Sequence, residues 1–297
     1  MEERFLELLG SRWLIERSVV LSYVPLFISW LNGGKIDATN LFNEKQKIKA
    51  RVIRAGDDPI NPVESWDLTN TSIPDNSVAI IPIDGVIYSW KTMEIRNMLF
   101  HAENNPKIIS ILFLVNSPGG NVFYLDICAK AIKDGLKPSV AAIMNMSASA
   151  AYWLTSAVDF RICTSKMDSV GSIGVMMTIA DTAVLMKEKL GINIIDLYAT
   201  KSTRKNEAYR KFLEDNTNTA LITKELDFCN EIFHEDIIAN LGIKSDSEVL
   251  QGALYYAEEG MGLGLIDEIN TLEYALEYTY NLGLANKINQ FSKQFKL

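Results

Sequence analysis

Between residues 77 and 269 the chain alternates short apolar runs with segments of helical spacing. The apolar runs are rich in Val and Ile and nearly continuous, which is typical of strands covered on both faces. They predict strands over 77–87, 107–115, 139–145, 160–164 and 192–198, with a turn-strand element over 262–269. The intervening segments predict helices over 93–106, 122–134, 149–157, 179–191 and 206–241. This alternation predicts βαβ units and an α/β fold with a mostly parallel sheet.

The same pattern divides the chain into four parts. Residues 1–54 predict a helical N-terminal extension, and residues 55–76 are rich in Pro, Asp, Asn, Ser and Thr, which predicts a linker. The folded domain is expected over residues 77–285. Residues 286–297 are expected to form a C-terminal tail.

One apolar stretch in the N-terminal extension raises the question of a membrane. Residues 18–31 are apolar, but the stretch has only 14 residues and contains Pro25. A helix that spans a bilayer needs about 20 residues. The stretch therefore predicts a docking or interfacial helix. We expect the chain in the cytoplasm of a bacterium or phage-infected host, with contact between this helix and a membrane left open.

Composition and charge exclude several classes of function. The formal net charge is −8, whereas nucleic-acid binding requires clustered Lys and Arg, so no nucleic-acid partner is expected. The three cysteines are far apart and form no CxxC pair, which predicts small buried apolar side chains. We expect neither a metal site nor a cofactor.

Two loops made of small residues follow predicted strands, where chemistry gathers in parallel sheets. In "NSPGG" (116–120) the glycines permit a tight turn, or a surface of backbone N–H groups that binds an oxyanion or a peptide. In "NMSASAAYWL" (145–154), Ser147 and Ser149 precede a predicted helix. A serine there is usually a helix N-cap, but the position also suits a nucleophile. The pattern leaves both interpretations open.

A nucleophilic serine needs a base, and the chain offers few histidines for that role. His101 and His234 are the two histidines, and neither follows a predicted strand end, which disfavours a Ser-His-Asp triad. A lysine can act as the base when its amine is neutral. Lys201 and Lys205 lie in the loop after the predicted strand 192–198. A solvated basic loop is the alternative interpretation.

Taken together and in this order, the segments of residues 77–285 resemble a known family. The matching pieces are "SVAIIPIDGVI", "LVNSPGG", "MSASAAYWLTSAVDFRICT", "VGSIGV", "LGINI" with the lysine loop after it, and "GLGLIDEINTLEYAL". They resemble the Ser-Lys signal peptide peptidase A family, and are closest in type to the phage and prophage prohead proteases that mature capsids. The resemblance implies a Clp protease/crotonase-like fold and a ring- or dome-shaped homo-oligomer.

The resemblance also assigns the nucleophile and the oxyanion hole. It places the nucleophile at Ser149 and leaves Ser147 a local structural role. Where the family usually has Gly-Gly after this serine, the chain has Ala150 and Ala151, which still leave the backbone N–H available. The N–H groups of Gly120 and Ala150 are the implied oxyanion donors.

The resemblance leaves a choice of base, because an ungapped match falls on Thr203, between two lysines. A short insertion places the general base at Lys205, with Lys201 as the alternative. Ser172, in "VGSIGV", matches a family serine that orients the lysine. The implied activity is that of a serine endopeptidase that forms an acyl-enzyme.

The expected partner is a peptide or protein substrate, either a capsid scaffold protein or a membrane-associated peptide. The absence of a clear membrane anchor in the sequence favours the phage type. Two other functions remain open on this scaffold. One is a non-catalytic assembly or structural protein, and the other is a crotonase-like acyl-CoA enzyme, which would share the oxyanion N–H pair.

Overall fold

The structure is a computed structural model that describes residues 13–15, 51–53, 67–179, 187–188, 191 and 195–294. Its strands are β1 (Trp13–Ile15), β2 (Arg51–Ile53), β3 (Ser77–Asp84), β4 (Ile108–Ser117), β5 (Gly119–Asn121), β6 (Ser139–Ala148), β7 (Phe160–Cys163), β8 (Ser169–Gly171), β9 (Leu254–Tyr256) and β10 (Glu268–Ile269). Its α-helices are α1 (Ser89–Asn104), α2 (Leu125–Lys133), α3 (Ala150–Ser156), α4 (Glu207–Glu214), α5 (Ala220–Leu241), α6 (Ala257–Gly262) and α7 (Leu272–Gln294). A 3₁₀ turn covers Glu248–Gln251.

The main sheet has the strand order β10-β7-β6-β4-β3-β2. Strands β3, β4, β6, β7 and β10 run parallel, and the edge strand β2 is antiparallel to β3. Strand β8 extends the sheet locally by pairing with the last residues of β6 and with β9. The predicted α/β class with a mostly parallel sheet is confirmed.

Helices cover both faces of this sheet, which explains why its strands are apolar at nearly every position. Side chains alternate along β3: Val78 and Ile80 pack toward α7, whereas Ala79, Ile81 and Ile83 belong to the larger core on the other face. Helix α7 contacts β3, β4 and β6, and α3 packs on the opposite face. The same alternation in β4 and β6 makes the central strands rigid supports for the loops at their ends.

The structure departs from the predicted pattern in the later helical region. The helix predicted over 206–241 is two helices, because Asp215 after α4 has extended backbone angles. Residues 195–198 lie outside any strand, and most of the predicted helix 179–191 lies outside the described residues. Helix α7 continues to Gln294, so a tail does not begin at residue 286.

The N-terminal extension also differs wherever the structure describes it. Segments β1 and β2 are strands, where the pattern predicted helix. The apolar stretch 18–31 lies outside the described residues. In the part of the chain that is described, no helix has the length and apolar character to cross a membrane.

The cysteines behave as the sequence predicted in two of three cases. Cys128 and Cys163 are fully buried, and burial raises the pKa of each thiol to about 12. Cys229 is half-buried, and no disulfide joins the three cysteines, all of which lie in the described residues. Cys128 and Cys163 therefore serve as apolar core side chains.

Candidate active site

The carboxyl ends of the parallel strands bring the two small-residue loops together. In the pairing of β3 with β4, Asp84 lies opposite Asn116, and in the pairing of β4 with β6, Ser117 lies opposite Ser147. Helix α3, which follows β6, contacts β5 in the neighbouring loop. Helix α3 therefore lies beside β5, the strand that contains Gly119 and Gly120.

Ser149 joins β6 to α3 with an unusual backbone conformation. Its φ is 56° and its ψ is −118°, a region that non-glycine residues rarely adopt. Its N–H donates to the carbonyl of Gly171 at 2.8 Å, and its carbonyl accepts from the N–H of Trp153 at 2.9 Å. A strained serine at a strand–turn–helix junction is the backbone arrangement that presents a nucleophilic Oγ.

Ser147, the other candidate serine, has a structural role. It is fully buried, and its Oγ lies 2.8 Å from Oγ1 of Thr155. The Thr155 hydroxyl donates in turn to the carbonyl of Ala151 at 2.8 Å, so Ser147 is the donor to Thr155. By contrast, no described residue forms a hydrogen bond with Oγ of Ser149. The structure thus distinguishes the two serines, and the assignment of Ser149 as the nucleophile stays a prediction.

The small residues after Ser149 are explained by packing. Ala150 and Ala151 are fully buried, and the whole of α3 lies within the core between β4, β5, β6 and α5. Tyr152 anchors the helix by donating from its hydroxyl to the carbonyl of Leu265 at 2.7 Å. Because Ala150 is the first residue of α3, its N–H is among those without a partner inside the helix.

Gly120 lies in β5, against the backbone of Ile87. The N–H of Ile87 donates to the carbonyl of Gly119 at 2.9 Å, and the N–H of Asn121 donates to the carbonyl of Ile87 at 2.7 Å. A Cβ on Gly120 would lie 1.9 Å from the carbonyl oxygen of Ile87, so only glycine fits. The other edge of β5 pairs antiparallel with β1, with Leu14 opposite Gly120.

Two residues that support this strand were missed by sequence reasoning. Oγ of Ser117 donates to the carbonyl of Gly85 at 2.7 Å and accepts from the N–H of Gly119 at 3.2 Å. This buried hydroxyl connects the turn after β3 to the glycine loop. Its position two residues before Gly119 is the signal available in the sequence, since Ser and Thr commonly bond backbone N–H groups two residues on.

Lys91 is the second supporting residue, and it lies in the first turn of α1. Its Nζ donates to the carbonyls of Asp84 and Val86, which fixes the turn that leads to Ile87. Burial lowers the pKa of Lys91, while the negative charges of Asp84 and Glu94 oppose that shift. No pattern in the sequence distinguishes this lysine from a surface one.

Ser172 lies close to the nucleophile through its neighbour in the chain. Gly171, which precedes it, accepts the hydrogen bond from Ser149, and the N–H of Ser172 donates to the carbonyl of Ala253 at 2.7 Å. Ser172 also has a positive φ, 52°. Its proposed role of orienting a lysine stays a prediction.

The structure does not bring the two candidate lysines to Ser149. Lys201 and Lys205 are both exposed, and within the described residues no hydrogen bond or ion pair joins either amine to Ser149. The backbone of the lysine loop is ordered by Arg210, which donates to the carbonyls of Thr203 at 2.5 Å and of Lys205 at 3.2 Å. The choice between the two lysines stays a prediction.

Neither histidine is hydrogen-bonded to the candidate nucleophile within the described residues. His101 is exposed near the end of α1. His234 is half-buried in α5, and burial lowers its pKa. In the described residues no hydrogen bond joins either imidazole to Ser149.

Fold and site together define an α/β protein with a strained serine at a strand–helix turn, beside a short strand that contains Gly119 and Gly120. The family model described as peptidase family S49 matches residues 131–283, which is more than half of the chain. The chain belongs to peptidase family S49. The matched range includes Ser149, Ser172 and both candidate lysines.

Three curated relatives carry protease names. A protein of Methanocaldococcus jannaschii, provisionally named a protease, is 30% identical over 61% of this chain and 58% of its own length. Protease 4 of Haemophilus influenzae is 23% identical over 82% of this chain and 42% of its own. A protein of Enterococcus faecium, provisionally named signal peptide peptidase SppA, is 24% identical over 59% of this chain and 51% of its own. The chain thus spans about half the length of the curated relatives it matches.

Two solved structures resemble the chain in overall shape. An enoyl-CoA hydratase/isomerase (crotonase) structure from Legionella pneumophila has a TM-score of 0.46 at 12% identity, covering 75% of this chain and 81% of that one. An enoyl-CoA hydratase/isomerase family structure from Hyphomonas neptunium has a TM-score of 0.41 at 17% identity, covering 71% of this chain and 72% of that one.

Proposed function

We propose that this chain is a serine endopeptidase that uses Ser149 as its nucleophile and Lys205 as its general base. The observation that carries the proposal is the backbone of Ser149, with a φ of 56° and a ψ of −118°, at a strand–helix turn beside Gly120. Membership of peptidase family S49 and the protease names of the relatives support the reaction class.

The proposed reaction combines Ser149 and the backbone N–H groups at this edge of the sheet with a lysine that must reach Ser149 in the active form. The neutral amine of Lys205 takes the proton from Oγ of Ser149, and Oγ attacks the carbonyl carbon of a peptide bond. The N–H groups of Gly120 and Ala150 stabilise the oxyanion. Collapse of the tetrahedral intermediate breaks the C–N bond, and the proton passes to the leaving amine. Water then hydrolyses the acyl-enzyme ester.

The exposed position of Lys205 sets a requirement on this mechanism. A lysine acts as a base only in its neutral form, which a position shielded from water favours. We therefore propose that the lysine loop is covered in the active form, and that the predicted homo-oligomer provides this cover. Activity should rise toward alkaline pH, because alkali supplies the neutral amine.

The experiment measures hydrolysis of a casein-like protein and a short fluorogenic peptide by the full chain. Ser149→Ala should lose activity by at least about 10³-fold, while Ser147→Ala, the matched control, should stay within about twofold. A serine-reactive phosphonate should label the wild type at Ser149, as identified by peptide mass spectrometry. Undiminished hydrolysis by Ser149→Ala would exclude it as the nucleophile.

The base is tested with a pair of charge-preserving variants. Arginine keeps the positive charge but cannot act as a base, so Lys205→Arg should be inactive and Lys201→Arg active. The reverse result would assign the base to Lys201. Activity in both variants would refute a lysine base in this loop. Turnover of acyl-CoA thioesters without peptide hydrolysis would instead indicate a crotonase-like enzyme.

We propose a phage or prophage head maturation role, in the cytoplasm, with capsid scaffold proteins as substrates. The support is the resemblance of the segments of residues 77–285 to prohead proteases. Signal peptides at a membrane are the alternative substrate class. Finding portal and major capsid genes beside the gene for this chain would support the proposal. Cleavage of membrane-associated signal peptides, with no cleavage of a co-expressed scaffold protein, would refute it.

A further inference from the structure

The two edges of β5 have different partners, and the hydrogen bonds show which groups face each one. Toward Ile87, β5 presents the carbonyl of Gly119 and the N–H of Asn121. Along a strand, successive residues direct their N–H and C=O groups to opposite edges. Gly120 therefore directs its N–H and C=O away from Ile87.

That second edge is where β1 lies. Strands β1 and β5 form a two-stranded antiparallel sheet, with Trp13 opposite Asn121, Leu14 opposite Gly120 and Ile15 opposite Gly119. Because Gly120 faces this edge, Leu14 and Gly120 are the pair that exchanges backbone hydrogen bonds. The oxyanion donor proposed for catalysis is thus engaged by the chain's own backbone.

We propose that Trp13–Ile15 is a resident occupant of the peptide-binding edge of β5, and that it holds the site closed to extended substrates. An extended peptide binds an open strand edge by adding a strand, through its backbone groups. The N–H of Gly120 cannot bond the carbonyl of Leu14 and an oxyanion at the same time. A substrate must therefore displace this segment before Ser149 can react.

The size of the effect depends on how often the segment occupies the edge. If β1 is paired nine times in ten, the apparent kcat/KM lies about tenfold below that of the open form. Since the pairing uses backbone groups, a proline at position 14 should release it, because proline has no N–H to donate. A proline at position 15 is the matched control, since the N–H there faces away from β5.

The rate experiment compares the full chain with its Leu14→Pro and Ile15→Pro variants, and it rests on the proposed peptidase function. Leu14→Pro should raise kcat/KM for a short peptide, and the rate of phosphonate labelling at Ser149, by about tenfold. Ile15→Pro should stay within about twofold of wild type. A Leu14→Pro variant that is no faster than wild type would overturn the inference. Equal activation by both proline variants would contradict the register in which Leu14 lies opposite Gly120.

A second measurement does not depend on activity. Amide hydrogen exchange at Gly120 should be about tenfold faster in Leu14→Pro than in Ile15→Pro, because only the former loses the pairing. If amide exchange at Gly120 is faster in Leu14→Pro but neither the wild type nor any variant hydrolyses peptides, the proposed peptidase function fails, whereas the pairing of β1 with β5 is supported. If hydrolysis is seen but exchange at Gly120 does not respond, the occupied edge fails and the peptidase stands.

A peptide copy of the segment tests the same contact in trans. A nine-residue peptide copying residues 10–18 should inhibit the Leu14→Pro variant competitively, while the same peptide with proline at the position of Leu14 should not. Equal inhibition by both peptides would overturn a backbone-paired occupant. The intact mass of the purified wild type should show that residues 13–15 are still part of the chain. Loss of this segment in the wild type but not in Ser149→Ala would overturn the inference, because the segment would then be a substrate that the protein cleaves from itself.

Discussion

Gly120→Ala tests the oxyanion strand at the position where the structure leaves least room. The added Cβ would lie 1.9 Å from the carbonyl oxygen of Ile87, whereas real Cβ atoms essentially never approach closer than 3.0 Å. The backbone of one partner must therefore move by about 1.1 Å. Ile87 cannot easily give way, because its own N–H and carbonyl are bonded to Gly119 and Asn121.

A displacement of this size is enough to disable the proposed chemistry. A misplacement of about 1 Å costs about 10²-fold in rate, and losing one oxyanion donor costs about 10²- to 10³-fold. We therefore expect Gly120→Ala to lower kcat/KM by at least about 10²-fold. Overpacking should also lower the free energy of unfolding by about 1–3 kcal/mol.

The assay combines peptide hydrolysis, phosphonate labelling of Ser149 and a thermal melt. Gly262→Ala is the matched control, because Gly262 ends helix α6 and has no atom within 4 Å of an added Cβ. The control should keep wild-type kcat/KM. A folded Gly120→Ala variant with wild-type kcat/KM would refute the assignment of this strand to the oxyanion hole.

Three further predictions concern stability. Ser147→Ala removes the hydrogen bond to Thr155 and should lower the free energy of unfolding by about 1 kcal/mol. Urea titration measures this change, and an unchanged midpoint of unfolding would contradict the hydrogen bond. Asp267→Ala removes the carboxylate that lies 2.9 Å from the guanidinium of Arg161, a side chain that is 10% exposed. The free energy of unfolding, measured by urea titration, should fall by about 3 kcal/mol, and Asp267→Asn should lower it by less. Burial lowers the pKa of His234 in the folded protein below the ordinary value of 6.5. As the pH falls below 6.5, the unfolded chain therefore binds a proton at this histidine before the folded protein does, and the free energy of unfolding decreases. The melting temperature of wild type should therefore fall relative to that of His234→Gln below that pH, and a constant difference would contradict this.

The fold of the central domain could be predicted because its signals are local. Val and Ile runs at 107–115 and 139–145 specify β4 and β6, since a strand buried on both faces needs apolar side chains at nearly every position. The same reasoning failed after residue 206, where Asp215 interrupts a continuous helical pattern by its extended backbone. The uncharged polar residues 216–219, Asn-Thr-Asn-Thr, are turn formers and are the local signal of that break, and the side chain of Asp215 accepts hydrogen bonds from Thr217 there.

The roles within the candidate site required contacts between distant parts of the chain. Both Ser147 and Ser149 precede the same helix, and the sequence pattern treats them alike. The hydrogen bond from Ser147 to Thr155, and the positive φ of Ser149, distinguish them. The support given by Ser117 and Lys91 to the glycine loop depends on carbonyls that no local pattern identifies.

The sequence by itself determined the α/β class and the two small-residue loops at strand ends, because apolar periodicity and residue chemistry are properties of short segments. The tertiary structure alone decided that Leu14 lies opposite Gly120, more than a hundred positions away along the chain. It also decided that Lys201 and Lys205 are exposed. Strand pairing and burial arise from contacts between segments, so a pattern read along one segment does not contain them.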